Sequence, residues 1–184
     1  MRFRHDSGAG WGVHCNGGLS TLTGDYPTTR ALFEAGGVAD AEAAVRRAPD
    51  SRIDDVEVLS PVTRDGDYIC QATNYASHVR EIGRNPEDMK FNVFFHKASS
   101  CICPPGSDIV RPAIVKLLDY EVELGLVIGR QITGPVDVTP TTLHQWIGGL
   151  VITNDVSARD IQVSHEQFNK AKSYRTFGPT GPFL

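Results

Sequence analysis

Between residues 117 and 129 the chain reads LLDYEVELGLVIG, its longest strand candidate. Tyr120, Val122, Leu124 and Leu126 alternate there with Asp119, Glu121 and Glu123. Successive side chains on a strand point to opposite faces, so the three acids share one face and the apolar residues the other. Carboxylates at i and i+2 stand about 7 Å apart at their Cα atoms. On a partly buried face they repel each other and lose hydration. A hard divalent cation bound through oxygen removes both penalties. A solvated acidic face that aids solubility is the plainer alternative. A third carboxylate arriving from elsewhere would favour the cation, and Asp155, at the end of the apolar run GLVITND, is the candidate.

The rest of the chain supplies strands more than helices. WGVHCNGGLSTLTG (11–24) has two extended stretches around a Gly-Gly turn signal, which predicts a hairpin. ADAEAAVRRA (39–48) is rich in good helix formers. VEVLSPV (56–62), DYICQAT (67–73) and FNVFFHKASS (91–100) read as strands from their alternation and β-branched or aromatic content. NYASHVREIG (74–83) reads as a short helix capped by Asn74 and ended by Gly83. TPTTLHQWIG (139–148) reads as another, with Thr139 as N-cap and Pro140 in its first turn. CICPPGSDIVRP (101–112) is too interrupted to be a central strand. The expected fold class is a β-rich α+β fold without regular βαβ winding. A soft boundary near residue 55 separates a small N-terminal domain (1–55) from a larger domain (56–184).

Several function classes are disfavoured. A net charge of −4 and the lack of a Lys/Arg run argue against nucleic acid as partner. No apolar run reaches the roughly 18 residues of a membrane span, and no apolar core follows the basic N-terminus as in a secretory signal. A cytoplasmic location is therefore expected. Cys15, Cys70, Cys101 and Cys103 have no disulfide-framework spacing and read as buried or free thiols, with Cys101-x-Cys103 a weak zinc signal. The pair at 165–166 is not H-E-x-x-H, because position 169 is Asn. His78 and Glu81 stand at i and i+3, on one side of a helix. A carboxylate beside an imidazole fixes its tautomer and raises its basicity, as a general base requires. An ordinary surface ion pair uses the same spacing.

Taken in order, NYASHVREIG, FFHKASS, DYEVELGLVIG, VITNDVSARDIQ and KSYRTFGPTGP resemble the successive motifs of the fumarylacetoacetate hydrolase family, from about residue 56 to the last residue. The segment before them is similar to the small N-terminal domain of bacterial, acylpyruvase-like members. The resemblance implies a mixed β-sandwich roll, a homodimer, and a site at the mouth of the roll. It implies Glu121, Glu123 and Asp155 as metal ligands, with Mg²⁺ (or Mn²⁺ or Ca²⁺) as cofactor. It places the catalytic dyad on His78 and Glu81, with Lys172 stabilising an oxyanion. Arg159 and Gln162 would bind substrate, and Lys97 would support the ligands or bind a carboxylate. The implied activity is hydrolysis of a carbon–carbon bond in an acylpyruvate or other β-dicarbonyl carboxylate, in the catabolism of aromatic or related compounds. Oxaloacetate decarboxylation, isomerisation or hydration of dienoic diacids, and an inactive metal-binding domain are the alternatives.

The chain also departs from the family pattern. One branch has a further metal-binding aspartate seven residues before the histidine, where this chain has Gln71. Ala72 and Ala98 stand at positions usually held by glycine and proline, and Ser173-Tyr174-Arg175 replaces Ser-Phe-Asp. Family members continue past GPTGPFL with further strands, so the sequence is expected to be one piece of a longer protein.

Overall fold

The computed structural model describes residues 1–6, 8–15, 17–165 and 167–184. Asn16 of the segment 11–24 and Glu166 of the 165–166 pair lie outside them. The N-terminal strands β1 (Arg2–His5), β2 (Gly8–Cys15) and β3 (Gly18–Thr21) form antiparallel pairs, β2–β3 being the expected hairpin. Helices α1 (Thr29–Glu34) and α2 (Gly37–Ala44) follow. Thr28 caps α1 by accepting a hydrogen bond from the Ala31 amide. β4 (Glu57–Leu59) then pairs antiparallel with β1, giving the sheet order β3-β2-β1-β4. The division at residue 55 thus falls between this strand and the rest of its sheet.

Two apolar clusters hold this part together. Met1, Phe3 and Leu19 form one, and Trp11, Leu22, Tyr26, Leu32 and Ala44 the other. Asp40 of α2 ties the helix to the loop after β3. Its carboxylate accepts the Thr23 amide at 2.7 Å, the Gly24 amide at 2.8 Å and the Thr23 hydroxyl at 3.1 Å. Burial works to raise its pKa, but these hydrogen bonds outweigh burial and hold it below the usual carboxylate value.

The second part consists of short paired strands. β5 (Tyr68–Gln71) is followed by helix α3 (Ala76–Glu81) and pairs antiparallel with β6 (Phe94–Lys97), Tyr68 facing Lys97 and Cys70 facing Phe95. β7 (Ile102–Cys103), β8 (Leu118–Asp119) and β9 (Val122–Ile128) come next. β10 (Ile147–Asn154) pairs antiparallel with β9, and β11 (Ser157–Ala158) with β8. Helices α4 (Arg159–His165) and α5 (Phe168–Lys172) precede β12 (Gly178–Pro179), which runs parallel to β7. Cys101, Val115, Val156, Ala158, Ile161, Ala171 and Phe177 are the buried cluster beneath these elements.

Three local expectations are corrected. The stretch 117–129 is not one strand. It breaks at Tyr120–Glu121, where the chain leaves β11 for β10. The Asp119 carboxylate accepts the Tyr120 amide at 2.9 Å, and the Asn154 side chain accepts the Glu121 amide at 3.0 Å, so both amides are satisfied off the ladder. Residues 139–148 form only a 3₁₀ turn at Leu143–Gln145. Thr139, Thr141 and Thr142 bond to one another and to local backbone, which competes with helix, and Ile147 onward is drawn into β10. Asn74 does not cap α3. Its amide instead clamps Val93, accepting the Val93 N–H at 2.7 Å and donating to the Val93 carbonyl at 2.9 Å. Gly83 does end α3, at φ +76°.

Across β9 the apolar side faces outward. Tyr120, Val122, Leu124, Leu126 and Ile128 are all exposed, while Asp119, Glu121 and Glu123 are half-buried on the other side.

Candidate metal centre

The half-buried acids meet a cluster of cations. Lys97, at the end of β6, has a fully buried side chain and donates to Asp155 Oδ1 at 2.6 Å and to the Phe177 carbonyl at 2.7 Å. Lys172, the last residue of α5, donates to Asp155 Oδ2 at 2.6 Å and to Glu121 Oε2 at 2.9 Å. Arg159, opening α4, donates through Nε to Asp119 Oδ2 at 2.8 Å and through Nη1 to Gln162 Oε1 at 2.8 Å, and its Nη2 pairs with Glu121 Oε1. Ser157 adds its hydroxyl, donating to Glu121 Oε1 at 3.3 Å. Burial works to raise the Glu121 pKa, but Lys172 and then Arg159 outweigh it, so this carboxyl sits below its usual range. Asp119 is also held down, chiefly by Arg159.

Glu123 is different. No described residue gives its carboxylate a hydrogen bond or an ion pair. Burial pushes its pKa up, and Asp155 and then Glu121 push it further. Across from it on β5 lies Cys70, buried, with its thiol pushed up to about 12 by burial and then by Asp155. Cys70, Glu123 and Asp155 each place one donor atom within 4.8 Å of the other two.

This donor set fits a divalent cation. A half-buried carboxylate without a partner, beside a buried one, is destabilised until positive charge arrives. Both Asp155 oxygens and Glu121 Oε2 each keep a second lone pair while accepting from lysine, whereas Glu121 Oε1 is taken by Arg159 and Ser157. The carboxylates that would hold the ion are Glu123 and Asp155, with Glu121 adjoining them through Lys172.

The structure does not gather all the residues singled out from sequence. Lys97, Lys172, Arg159 and Gln162 join the network around Glu121 and Asp155. His78 and Glu81 stand apart from it. They lie 3.5 Å from each other on the exposed side of α3, with no hydrogen bond to the acidic cluster. Sequence reasoning passed over Cys70, Ser157 and the pairing of Asp119 with Arg159. The first had a signal, since alternation in DYICQ puts Cys70 on the face opposite Gln71. Gln71, at the family's aspartate position, is exposed and accepts from Asn74.

Residues 67–184 match the family model described as fumarylacetoacetate (FAA) hydrolase C-terminal. The chain belongs to this family. Its fold agrees: fumarylacetoacetate hydrolase from Exiguobacterium antarcticum superposes with a TM-score of 0.72 at 32% identity, covering 99% of this chain and 64% of that one. The 5-carboxymethyl-2-hydroxymuconate delta-isomerase of Mycobacterium smegmatis superposes with a TM-score of 0.70 at 27% identity, covering 100% of this chain and 66% of that one. In sequence, the mitochondrial oxaloacetate tautomerase Fahd2a of Rattus norvegicus is 34% identical over 185 residues, 97% of this chain and 56% of that protein. The chain spans about half the length of the curated relatives it matches. Among the described residues no helix is long and apolar enough to cross a membrane.

Proposed function

We propose that this chain carries the metal site of an enzyme acting on 2-oxo acids with a second carbonyl or carboxylate, and that its reaction is hydrolytic cleavage of an acylpyruvate-type carbon–carbon bond. The observation that carries the reading is the Glu123 carboxylate, which has no partner among the described residues, beside Asp155. A Mg²⁺ or Mn²⁺ ion bound by Glu123, Asp155 and Glu121 would polarise the substrate's paired oxygens. Lys97 and Lys172 hold Asp155 rigidly from both sides, so the ligand arrives preorganised. Lys172, which bridges Asp155 and Glu121, would in this reading stabilise charge that grows on a substrate carbonyl. Arg159 is held by Asp119, Glu121 and Gln162, and in this reading it binds the substrate carboxylate by exchanging one of those partners. In this reading His78 takes a proton from water and Glu81 fixes the imidazole orientation, which requires α3 to bring the dyad nearer the acids than the exposed position it holds here. In the same reading the functional unit is a cytoplasmic homodimer.

A second reading rests on the relatives. Proteins named oxaloacetate tautomerase match nearly the whole chain, and tautomerisation needs the same base and polarised oxygens but no attacking water. Product analysis separates the two. With Mg²⁺ present, acylpyruvates should yield pyruvate and a second carboxylic acid, while tautomerase activity would only speed the keto–enol interconversion of oxaloacetate. His78→Ala, which removes the general base, and Glu121→Ala, which removes a carboxylate of the metal site, should each lower turnover by at least about 100-fold. Full acylpyruvate cleavage by both variants would end the hydrolytic mechanism.

A further inference from the structure

We propose that Cys70 is a sulfur ligand of the metal centre, which gives this site a preference for softer divalent ions. The inference rests on the metal-site reading above and deepens it. Cys70 is 5% exposed, and its thiol makes no hydrogen bond with any described residue. A buried thiol among apolar neighbours would be a small hydrophobe. This one instead faces two carboxylates, with its sulfur and one oxygen each of Glu123 and Asp155 within 4.8 Å of one another. Donors at metal–sulfur and metal–oxygen distances of about 2.0–2.3 Å stand at most about 4.3 Å apart, so side-chain movement of about half an ångström would let these atoms close around a single ion.

Backbone geometry fixes this arrangement. Cys70 lies on β5 opposite Phe95 of β6, and Glu123 lies on β9 opposite Thr153 of β10, two residues before Asp155. β5 and β10 are further tied by contact between the Tyr68 and Thr153 hydroxyls. The thiol therefore comes to the acids on a strand, not on a loop. The neighbouring Gln71 points to the other face, as the two-residue period of a strand requires.

Thiolate ligands favour Zn²⁺ and similarly soft ions, whereas Mg²⁺ takes oxygen almost exclusively. On coordination the thiol proton leaves to water and the sulfur keeps the electron pair it donates. One thiolate among two or three carboxylates would make an intermediate site, binding Mg²⁺ through oxygen alone and Zn²⁺ or Cd²⁺ through oxygen and sulfur.

Cadmium titration of the full chain tests this, read by the ultraviolet thiolate-to-metal charge-transfer band and by calorimetry against Mg²⁺. The wild-type chain should give a saturable band, and Cys15→Ser should keep it. Cys70→Ser should lose the band and weaken Cd²⁺ binding by at least roughly tenfold, since loss of even an outer-shell partner costs about 10–100-fold. Mg²⁺ affinity should be nearly unchanged in Cys70→Ser. That retained Mg²⁺ affinity reports a folded Cys70→Ser chain, so a folding defect cannot imitate the lost band. If Cys70→Ser keeps the band or its Cd²⁺ affinity while Mg²⁺ still binds, the sulfur ligand is refuted and the carboxylate site stands. If neither ion binds the wild-type chain, both readings fall.

Discussion

Replacing Lys97 with methionine removes one charge from the most buried ion pair among the described residues while keeping much of its apolar stem. The Lys97 and Asp155 side chains are 0% and 1% exposed. Deleting one partner of such a pair usually costs about 3–5 kcal/mol, because the remaining charge is left buried. Two features pull the estimate to the low end. Lys172 still holds the other Asp155 oxygen at 2.6 Å, and the Phe177 carbonyl keeps the Val156 amide at 3.2 Å. We therefore expect a loss of about 3 kcal/mol, which for a chain of this size lowers Tm by about 6–12 °C. Thermal and urea unfolding followed by circular dichroism, with chelator present, measures it. Arg4→Ala is the control. It breaks a pair in which both side chains are more than half exposed, and it should cost less than about 1 kcal/mol. Adding Asp155→Asn to Lys97→Met should recover part of the loss, with a coupling energy of about 1–3 kcal/mol. A loss under about 1 kcal/mol, or strict additivity of the two changes, would refute the account of Lys97 as Asp155's buried counter-charge.

Glu123→Gln should stabilise the metal-free chain, by a few tenths to about 1 kcal/mol once screening of this half-exposed group is allowed for. Its raised pKa means that ionising it opposes folding, so the wild-type chain in chelator should lose stability as pH rises through that pKa and Glu123→Gln should not; equal slopes would contradict this. Added Mn²⁺ should reverse the order, raising Tm for the wild type only. Asp40 has the opposite sign, because its lowered pKa stabilises the fold above the usual carboxyl value of about 4 and that stability is lost as pH falls through the lower folded value. Asp40→Ala should cost about 2–3 kcal/mol near pH 7 and progressively less below pH 4, as unfolding at a series of pH values would report.

The legible parts of the fold were those with a local cause. Alternation and β-branched or aromatic content marked β5 and β6, and the Gly-rich turn marked the β2–β3 hairpin. Helix-forming residues marked α2, although it starts at Gly37 and ends at Ala44. The segment 139–148 misled because Thr139 as N-cap and Pro140 in the first turn looked right while three threonines preferred their own hydroxyl contacts. α1, α4 and α5 escaped notice because each is short and stabilised by tertiary packing more than by its own sequence. In the candidate site, the alternating acids Asp119, Glu121 and Glu123 carried a visible pattern, although only Glu123 lies within β9. The bonds that organise them span long stretches of chain, from Lys97 to Asp155 and from Arg159 to Asp119, and no local rule encodes such pairs.

The outward side of β9 bears on how firmly the acids are placed. Leu124 lies opposite Ile152 and Leu126 opposite Leu150, on the side turned to solvent. Sliding β9 past β10 by a single residue would swing the leucines inward and the glutamates out. Greasiness alone would reward that slip, so what resists it is polar: the Asn154 side chain bound to the Glu121 amide, and the Asp155 amide bound to the Glu121 carbonyl. Those two links behave as a latch on strand alignment, and the acids stay pointed at Lys172 only while it remains shut.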